Sequence, residues 1–305
     1  MAETMAQEGF FRARTETYCD TAVAEHRGQL EMVVRQLRRN RGAILGLVMI
    51  VLLVIVAVAA PWVAPYDPLE QSIREALQAP SARHPFGTDE IGRDMLSRII
   101  YGARISLRVG LISVAIGSVV GTTLGIAAGF YGGWADNVIM RITDVLAAFP
   151  GMLLALTVIA ILGPGLFNAM IAVGFGSIPS YTRIARGSTM AIRNCLYVEG
   201  ARAVGCKNAR IMRRYILPNV LPPLIVIVTL GVAGAILTAS GLSFLGLGAR
   251  PPTPEWGAML STGRTYLRQS WWFAVFPGLA ITLTVVSINM FGDGLRDALD
   301  PKLRH

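Results

Sequence analysis

Residues 42–60 contain no charged side chain. At 1.5 Å per residue a helix over them is about 28 Å long, close to the hydrocarbon thickness of a bilayer. Such a run predicts a helix that crosses lipid, so the rest of the chain has to be organised around a membrane. Arg35, Arg38, Arg39 and Arg41 precede it, and Trp62, Tyr66 and Asp67 follow it. Cations on one flank and aromatics on the other predict an inner N-terminus and an outer aromatic end. A cleaved signal peptide is the competing reading. Against it stand the position of the run, far into the chain, and the weak cleavage character of Ala59-Ala60-Pro61.

Composition extends this reading to the whole chain. Hydrophobic residues make up 53% and charged residues 15% of 305 positions, where soluble domains carry about 25% charge. Five more spans are predicted at 105–130, 138–162, 167–181, 221–245 and 271–291, giving an all-α polytopic membrane protein with six transmembrane helices. The implied layout is a cytoplasmic tail over 1–41, frayed over 1–30, the first helix at 42–60 and an outer segment at 61–104. A five-helix core follows at 105–291, with a cytoplasmic loop at 183–218 and a cytoplasmic tail at 292–305. The formal charge of +9 is spread beside apolar spans and forms no continuous face, so a nucleic-acid partner is not expected. In the outer segment, Thr88 is placed to cap a short helix whose first turn holds Asp89 and Glu90.

Within the second span, Gly117, Gly121, Gly125 and Gly129 recur every four residues and form a ridge without side chains. In lipid, helices associate through packing, so this ridge predicts a helix–helix seam. Arg141 and Asp144 are charged residues close to the start of the third span. Their spacing predicts an ion pair on one helix face near the cytoplasmic end. A proton relay is the other reading, but no further acids or histidines lie at depth to support it. Pro150 and Pro179 interrupt the ladders of the third and fourth spans.

The longest polar interruption between apolar spans carries eight Arg or Lys from Arg183 to Arg214, against the single acid Glu199. Placing a net seven charges on the outer face would oppose the membrane potential by roughly 16 kcal/mol per 100 mV, so the loop is assigned to the cytoplasm. Residues 188–204 read as one helix, Gly205 as its stop, and 208–217 as a second short helix ended by Pro218. Cys19, Cys195 and Cys206 match neither a disulfide framework nor metal-ligand spacing, and are expected to be reduced thiols.

Glu199-Gly-Ala-Arg-Ala-Val-Gly205 followed by Leu217-Pro218 resembles the EAA loop of ABC importer permeases, which docks on an ATPase. Further blocks widen the resemblance. They are Arg38-Arg39-Asn40-Arg41, His84-Pro-Phe-Gly-Thr-Asp-Glu-Ile-Gly-Arg-Asp94, Ala128-Gly-Phe-Tyr-Gly-Gly-Trp-Ala-Asp136, Leu242-Ser-Phe-Leu-Gly-Leu-Gly248 and Gly292-Asp-Gly-Leu-Arg-Asp-Ala-Leu-Asp-Pro301. Together they resemble the C-type permease of dipeptide, oligopeptide and nickel importers over roughly residues 36–304. Two departures are mild: Gly200 replaces the first Ala of the triplet, and Tyr215 stands where the general pattern has Ile.

The resemblance implies a type I ABC importer permease fold in the bacterial cytoplasmic membrane, with both termini cytoplasmic. Its implied partners are two ATP-binding subunits, a B-type permease, an extracytoplasmic substrate-binding protein and membrane lipids. This chain has no Gly-x-x-x-x-Gly-Lys motif, and its only lysines are Lys207 and Lys302. It is therefore expected to bind no cofactor and catalyse no hydrolysis, with ATP and Mg held by the partner subunits. The roles implied are polar contact with the ATPase for Glu199, close packing for Ala201, the turn for Gly205, and anchorage to the fifth span for Leu217 and Pro218, with Gly200 also counted in the ATPase-coupling set. An ion-coupled secondary carrier or channel is the alternative, and an intramembrane enzyme a more distant one. The first lacks buried acids and a clear repeat, and the second lacks His-Glu-x-x-His and Gly-x-Ser-x-Gly. The sequence names neither the substrate nor the residues along its path.

Overall fold

The computed structural model describes residues 28–299, which are helical with no strand among them. The frayed tail expected over 1–30 falls outside these residues, except that Gly28 begins the first helix. In chain order the helices are α1 (Gly28–Arg39), α2 (Arg41–Val58), the short α3 (Ala60–Val63), α4 (Met95–Tyr131), α5 (Gly133–Ala147), α6 (Gly151–Leu162), α7 (Leu166–Ile192), α8 (Leu196–Ala203), α9 (Asn208–Ile211), α10 (Leu217–Phe244), α11 (Trp256–Thr265) and α12 (Trp272–Leu299). The first span starts sharply because the Asn40 side chain accepts a hydrogen bond from the Ala43 amide at 3.1 Å. Its surface is apolar and mostly exposed, with Leu52, Ile55 and Val58 uncovered by the rest of the chain.

The bundle is organised on α4 and α7, which make its most extensive helix contact and run parallel. Side chains added at Gly117, Gly121 and Gly129 would lie 2.8 Å from the carbonyls of Gly174, Ile178 and Arg186, respectively. Gly125 meets the Thr182 carbonyl closer still. Four glycines on one helix thus face four carbonyls at the same four-residue spacing on the other, so the backbones touch. The outer helices α2 and α12 pack antiparallel in a similar way, with Gly46 against the Ser287 carbonyl and Gly294 against Ala43.

Among the described residues, four helices are long and apolar enough to cross a membrane: α2, α4, α12 and the continuous 208–244 helix. The expected third span is not one straight helix, because α5 and α6 meet at 94°. Pro150 precedes the first residue of α6 and, lacking an N–H and restricting the residue before it, cannot sit inside a straight ladder. The expected fourth span extends to Ile192, so Arg183 and Arg186 belong to α7 and not to a loop. Arg183 donates to Asp144 at 2.8 Å. This replaces the expected pairing of Asp144 with Arg141 inside α5. Arg186 reaches Asp136 from the same helix.

The segments at 64–94 and 245–271 close one end of the bundle together. Trp256 Nε1 donates to the Ile99 carbonyl at 3.0 Å, Trp272 Nε1 to the Thr88 carbonyl at 3.3 Å, and Phe86 stacks on Phe276 at 4.1 Å. Beneath them lies a buried ionic network. Arg98 donates to the Pro68 carbonyl, His84 Nδ1 lies 2.9 Å from Asp94, and Arg93 pairs with Asp89. The expected Thr88-capped helix is absent. Asp94 instead caps α4 by accepting from the Ser97 amide at 2.8 Å, and Thr88 is fully buried in a single bridge to Asp94. Asp89 and Glu90, the acids expected in the first turn of that helix, are instead paired with Arg93.

Two outcomes follow from this packing. Gly121→Leu has no room at the seam, since its Cβ would already lie 2.7 Å from that of Tyr181. We expect its yield of monodisperse detergent-extracted protein in size-exclusion chromatography to fall severalfold, as overpacking by about 3 kcal/mol or more dictates. Glu90 has its pKa held above the ordinary 4.5 by burial and then by neighbouring Asp89. Folding therefore favours its protonated form, a contribution present below pH 4.5 and lost as pH rises through the raised value. Glu90→Gln should melt about 2 °C above wild type at neutral pH and level with it in acid.

Candidate functional site

At the opposite end of the bundle the chain leaves α7 at Arg193 and makes an elbow of α8, a tight turn and α9. The single helix expected over 188–204 is broken at 193–195, where Cys195 takes an extended conformation and starts α8 without a side-chain cap. The break turns α8 across the end of the bundle. Val198 and Ala201 form its buried face and join a core with Ile192, Ile211, Ile216 and Val220. Its other face carries Glu199 and Gly200, both exposed, with Leu196 and Val204 at 80% and 85% exposure. Ala201 therefore packs inside its own chain, and Gly200 has open space around its Cα.

Gly205 ends α8 in a Schellman motif. The Cys206 amide donates to the Ala201 carbonyl at 3.0 Å and the Gly205 amide to that of Arg202 at 2.9 Å. Gly205 has φ +82°, and nothing lies within 4 Å of where its Cβ would be. The requirement for glycine here is thus conformational and not steric. Beyond it, the expected second helix does not end at Pro218. Met212–Ile216 form a π turn, Leu217 bonds back to the Met212 carbonyl, and 208–244 is one helix of 37 residues. The wider turn accommodates a proline in the following helical turn, where a regular ladder would require the missing N–H. Leu217 and Pro218 lie half-buried inside this continuous helix.

Side-chain contacts fix the elbow to two spanning helices. Arg193 donates to the Gly129 carbonyl at 2.9 Å, and the Arg202 guanidinium lies 5.3 Å from the centre of the Phe130 ring, so both grip the end of α4. Asn219 on α10 donates to the Tyr215 carbonyl at 2.7 Å and approaches the Tyr197 hydroxyl of α8 at 3.5 Å. Sequence reasoning missed Arg193, Arg202 and Asn219. It also missed Leu196 and Val204, although two large apolar residues flanking Glu199 and Gly200 on the polar side of a short helix are visible in the sequence. Of the cysteines, Cys206 is a free thiol and Cys195 is buried, while Cys19 lies outside the described residues.

Among the described residues, no cluster of His, Cys, Asp or Glu could hold a metal ion. The elbow is a small, mostly basic knob whose exposed face carries Leu196, Glu199 and Val204.

Residues 121–305 match the family of binding-protein-dependent transport system inner membrane components, and residues 28–80 match the N-terminal transmembrane domain of oligopeptide transport permease C. The chain is 50% identical over 272 residues to a di/tripeptide transport system permease of Pseudomonas aeruginosa, covering 87% of this chain and 90% of the relative. It is 48% identical to a dipeptide transport permease of Alkalihalophilus pseudofirmus, covering 88% and 89% of the two chains. With a glutathione transport permease of Pectobacterium atrosepticum it shares 46% identity, covering 88% and 90%. Among solved structures, the inward-facing MetNI methionine ABC transporter aligns over 68% of this chain and 98% of its own, with a TM-score of 0.54 at 20% identity. The chain belongs to the family of binding-protein-dependent transport system inner membrane components and is a multi-pass, non-catalytic permease subunit of an ABC importer with the type I fold.

Proposed function

We propose that this chain forms one half of the membrane pathway of a peptide importer and converts closure of partner ATPases into alternating access. The observation that carries this reading is the continuity of the elbow with α10. Force applied to Leu196, Glu199 and Val204 on α8 passes through its buried residues Val198 and Ala201 to Ile211, Ile216 and Val220, which stand on the unbroken 208–244 helix that includes α10. Arg193 delivers the same displacement to α4.

Two ATP-binding subunits, holding ATP and Mg, supply the push. A B-type permease completes the pathway, and an extracytoplasmic binding protein delivers substrate to the end closed by Trp256 and Trp272. Membrane lipids cover the outer face of α2. The substrates proposed are short peptides, supported by the names of the di/tripeptide, dipeptide and glutathione relatives.

The elbow and both termini lie in the cytoplasm in this reading. From Arg193 to Arg214 the elbow carries six cations against Glu199, and this asymmetry belongs on the inner side. The coupling segment proper is shorter than 183–218, because Arg183 and Arg186 stay in α7.

The test is Gly205→Val in the reconstituted importer. A β-branched residue at φ +82° costs about 1–3 kcal/mol and distorts the turn. We expect ATP hydrolysis to persist while peptide uptake falls at least about tenfold, the equivalent of 1.4 kcal/mol lost from coupling. Uptake at the wild-type rate per ATP would overturn the coupling role. Orientation is tested separately at Cys206: a membrane-impermeant maleimide should label it in inside-out vesicles and not in intact cells.

A further inference from the structure

We propose that Asp144 and Arg183 form a substrate site on the pathway wall, where Arg183 takes the carboxylate and Asp144 the ammonium of a peptide with free termini. The proposal deepens the importer reading above and rests on it.

Depth is the first argument. Tyr181 packs its Cβ on Gly121 and points its hydroxyl at Gly231. Gly121 is central in the uncharged stretch between Arg108 and Asp136, and Gly231 is central in that between Arg214 and Arg250. Two independent helices thus place Tyr181 near the middle of the membrane. Arg183 is two residues on, about 3 Å farther along the axis. Its ion pair with Asp144 measures 2.8 Å, and the two side chains are 50% and 58% exposed. An exposed charge pair at this depth is not stable against lipid, so the surface it occupies meets water or protein.

A second observation points at the same face. The junction between α5 and α6 is exposed, and α6 begins without a side-chain cap. Gly176, which faces the Gly151 carbonyl at 3.6 Å, precedes Tyr181 by five residues or about 8 Å along α7. The broken backbone therefore also lies within the hydrocarbon slab. Irregular backbone at that depth is tolerated only against protein or a water-filled cavity. Along α7 the exposed positions Ser180, Arg183, Gly187 and Met190 continue one stripe past both features, and Arg141 adds an exposed cation from α5.

Charge complementarity selects the occupant. An exposed ion pair is loosely held, so a ligand carrying both charges can exchange partners with it and leave no charge unpaired. A ligand blocked at either terminus leaves Asp144 or Arg183 without a counter-ion.

The test uses the complex of this chain with its partner permease and ATPases, carrying Ser180→Cys. Modification by a water-soluble cationic methanethiosulfonate is followed by mass spectrometry of the fragment containing residue 180. The binding protein is omitted so that its selectivity plays no part. We expect modification to proceed, trialanine to slow it severalfold, and the N-acetyl and C-amide forms to be about tenfold weaker protectants, as loss of one charge-assisted bond predicts. Adding Asp144→Asn should abolish the preference for the free amine, and Arg183→Gln that for the free carboxylate. A purely structural ion pair would change protection by all three peptides equally, and that result overturns the site. Absence of modification, or no protection by trialanine, also overturns it. ATP-driven uptake of trialanine with the binding protein is measured on the same preparation. If uptake holds while protection fails, only this site falls; if uptake fails, the importer reading falls and takes the site with it.

Discussion

Direct backbone contact between α4 and α7 is the constraint on which the rest of the bundle depends. Each of four glycines on α4 brings a carbonyl of α7 to within contact, and nothing larger than hydrogen fits between them. In lipid the apolar surface of a helix gains little by leaving its surroundings, so close packing of this kind decides which helices associate. It also fixes register. Because Gly121 must meet Ile178 and Gly129 must meet Arg186, the depth of every residue on α7 is set by α4. Arg183 is thereby held beside the contact of Gly125 with the Thr182 carbonyl, and Arg193 is brought to the Gly129 carbonyl at the end of the bundle.

The two ends of the molecule are built for different work. At the tryptophan-closed end, arginines and acids neutralise one another inside a compact cap, with Arg98 tying the 64–94 segment to the loop after α10 through the Pro68 and Pro252 carbonyls. At the other end, the cations of the elbow are mostly exposed and its apolar residues divide between a buried face and an uncovered one. The elbow leaves Leu196 and Val204 uncovered by the rest of the chain.

Much of the elbow was legible in the sequence because its signals are local. A glycine with positive φ, a charge excess between apolar runs and a glycine ridge each depend on a few neighbouring residues. The expectations that failed all required knowledge of what lay across the bundle. Thr88 had the composition of a helix cap, but its hydroxyl was taken by the Gln78 amide, and Asp94 capped α4 instead. Asp144 had a suitable partner three residues away in Arg141, yet the seam delivered Arg183 from another helix. Pro218 had the character of a terminator, but a π turn absorbed it and the helix continued.

The sequence by itself determined that the chain crosses a membrane, that the segments at 42–60, 105–130, 221–245 and 271–291 are apolar enough to do so, where α4 offers a face without side chains and where the polar elbow must turn. These follow from hydropathy, residue volume and backbone freedom, which belong to each residue wherever it is placed. Only the tertiary structure decided that α5 and α6 part at a sharp angle, that α7 carries two arginines into the bundle and that the elbow is continuous with α10. Those outcomes depend on which carbonyl, charge or backbone lies opposite, and in a helical membrane protein that is set by packing between segments distant in the chain.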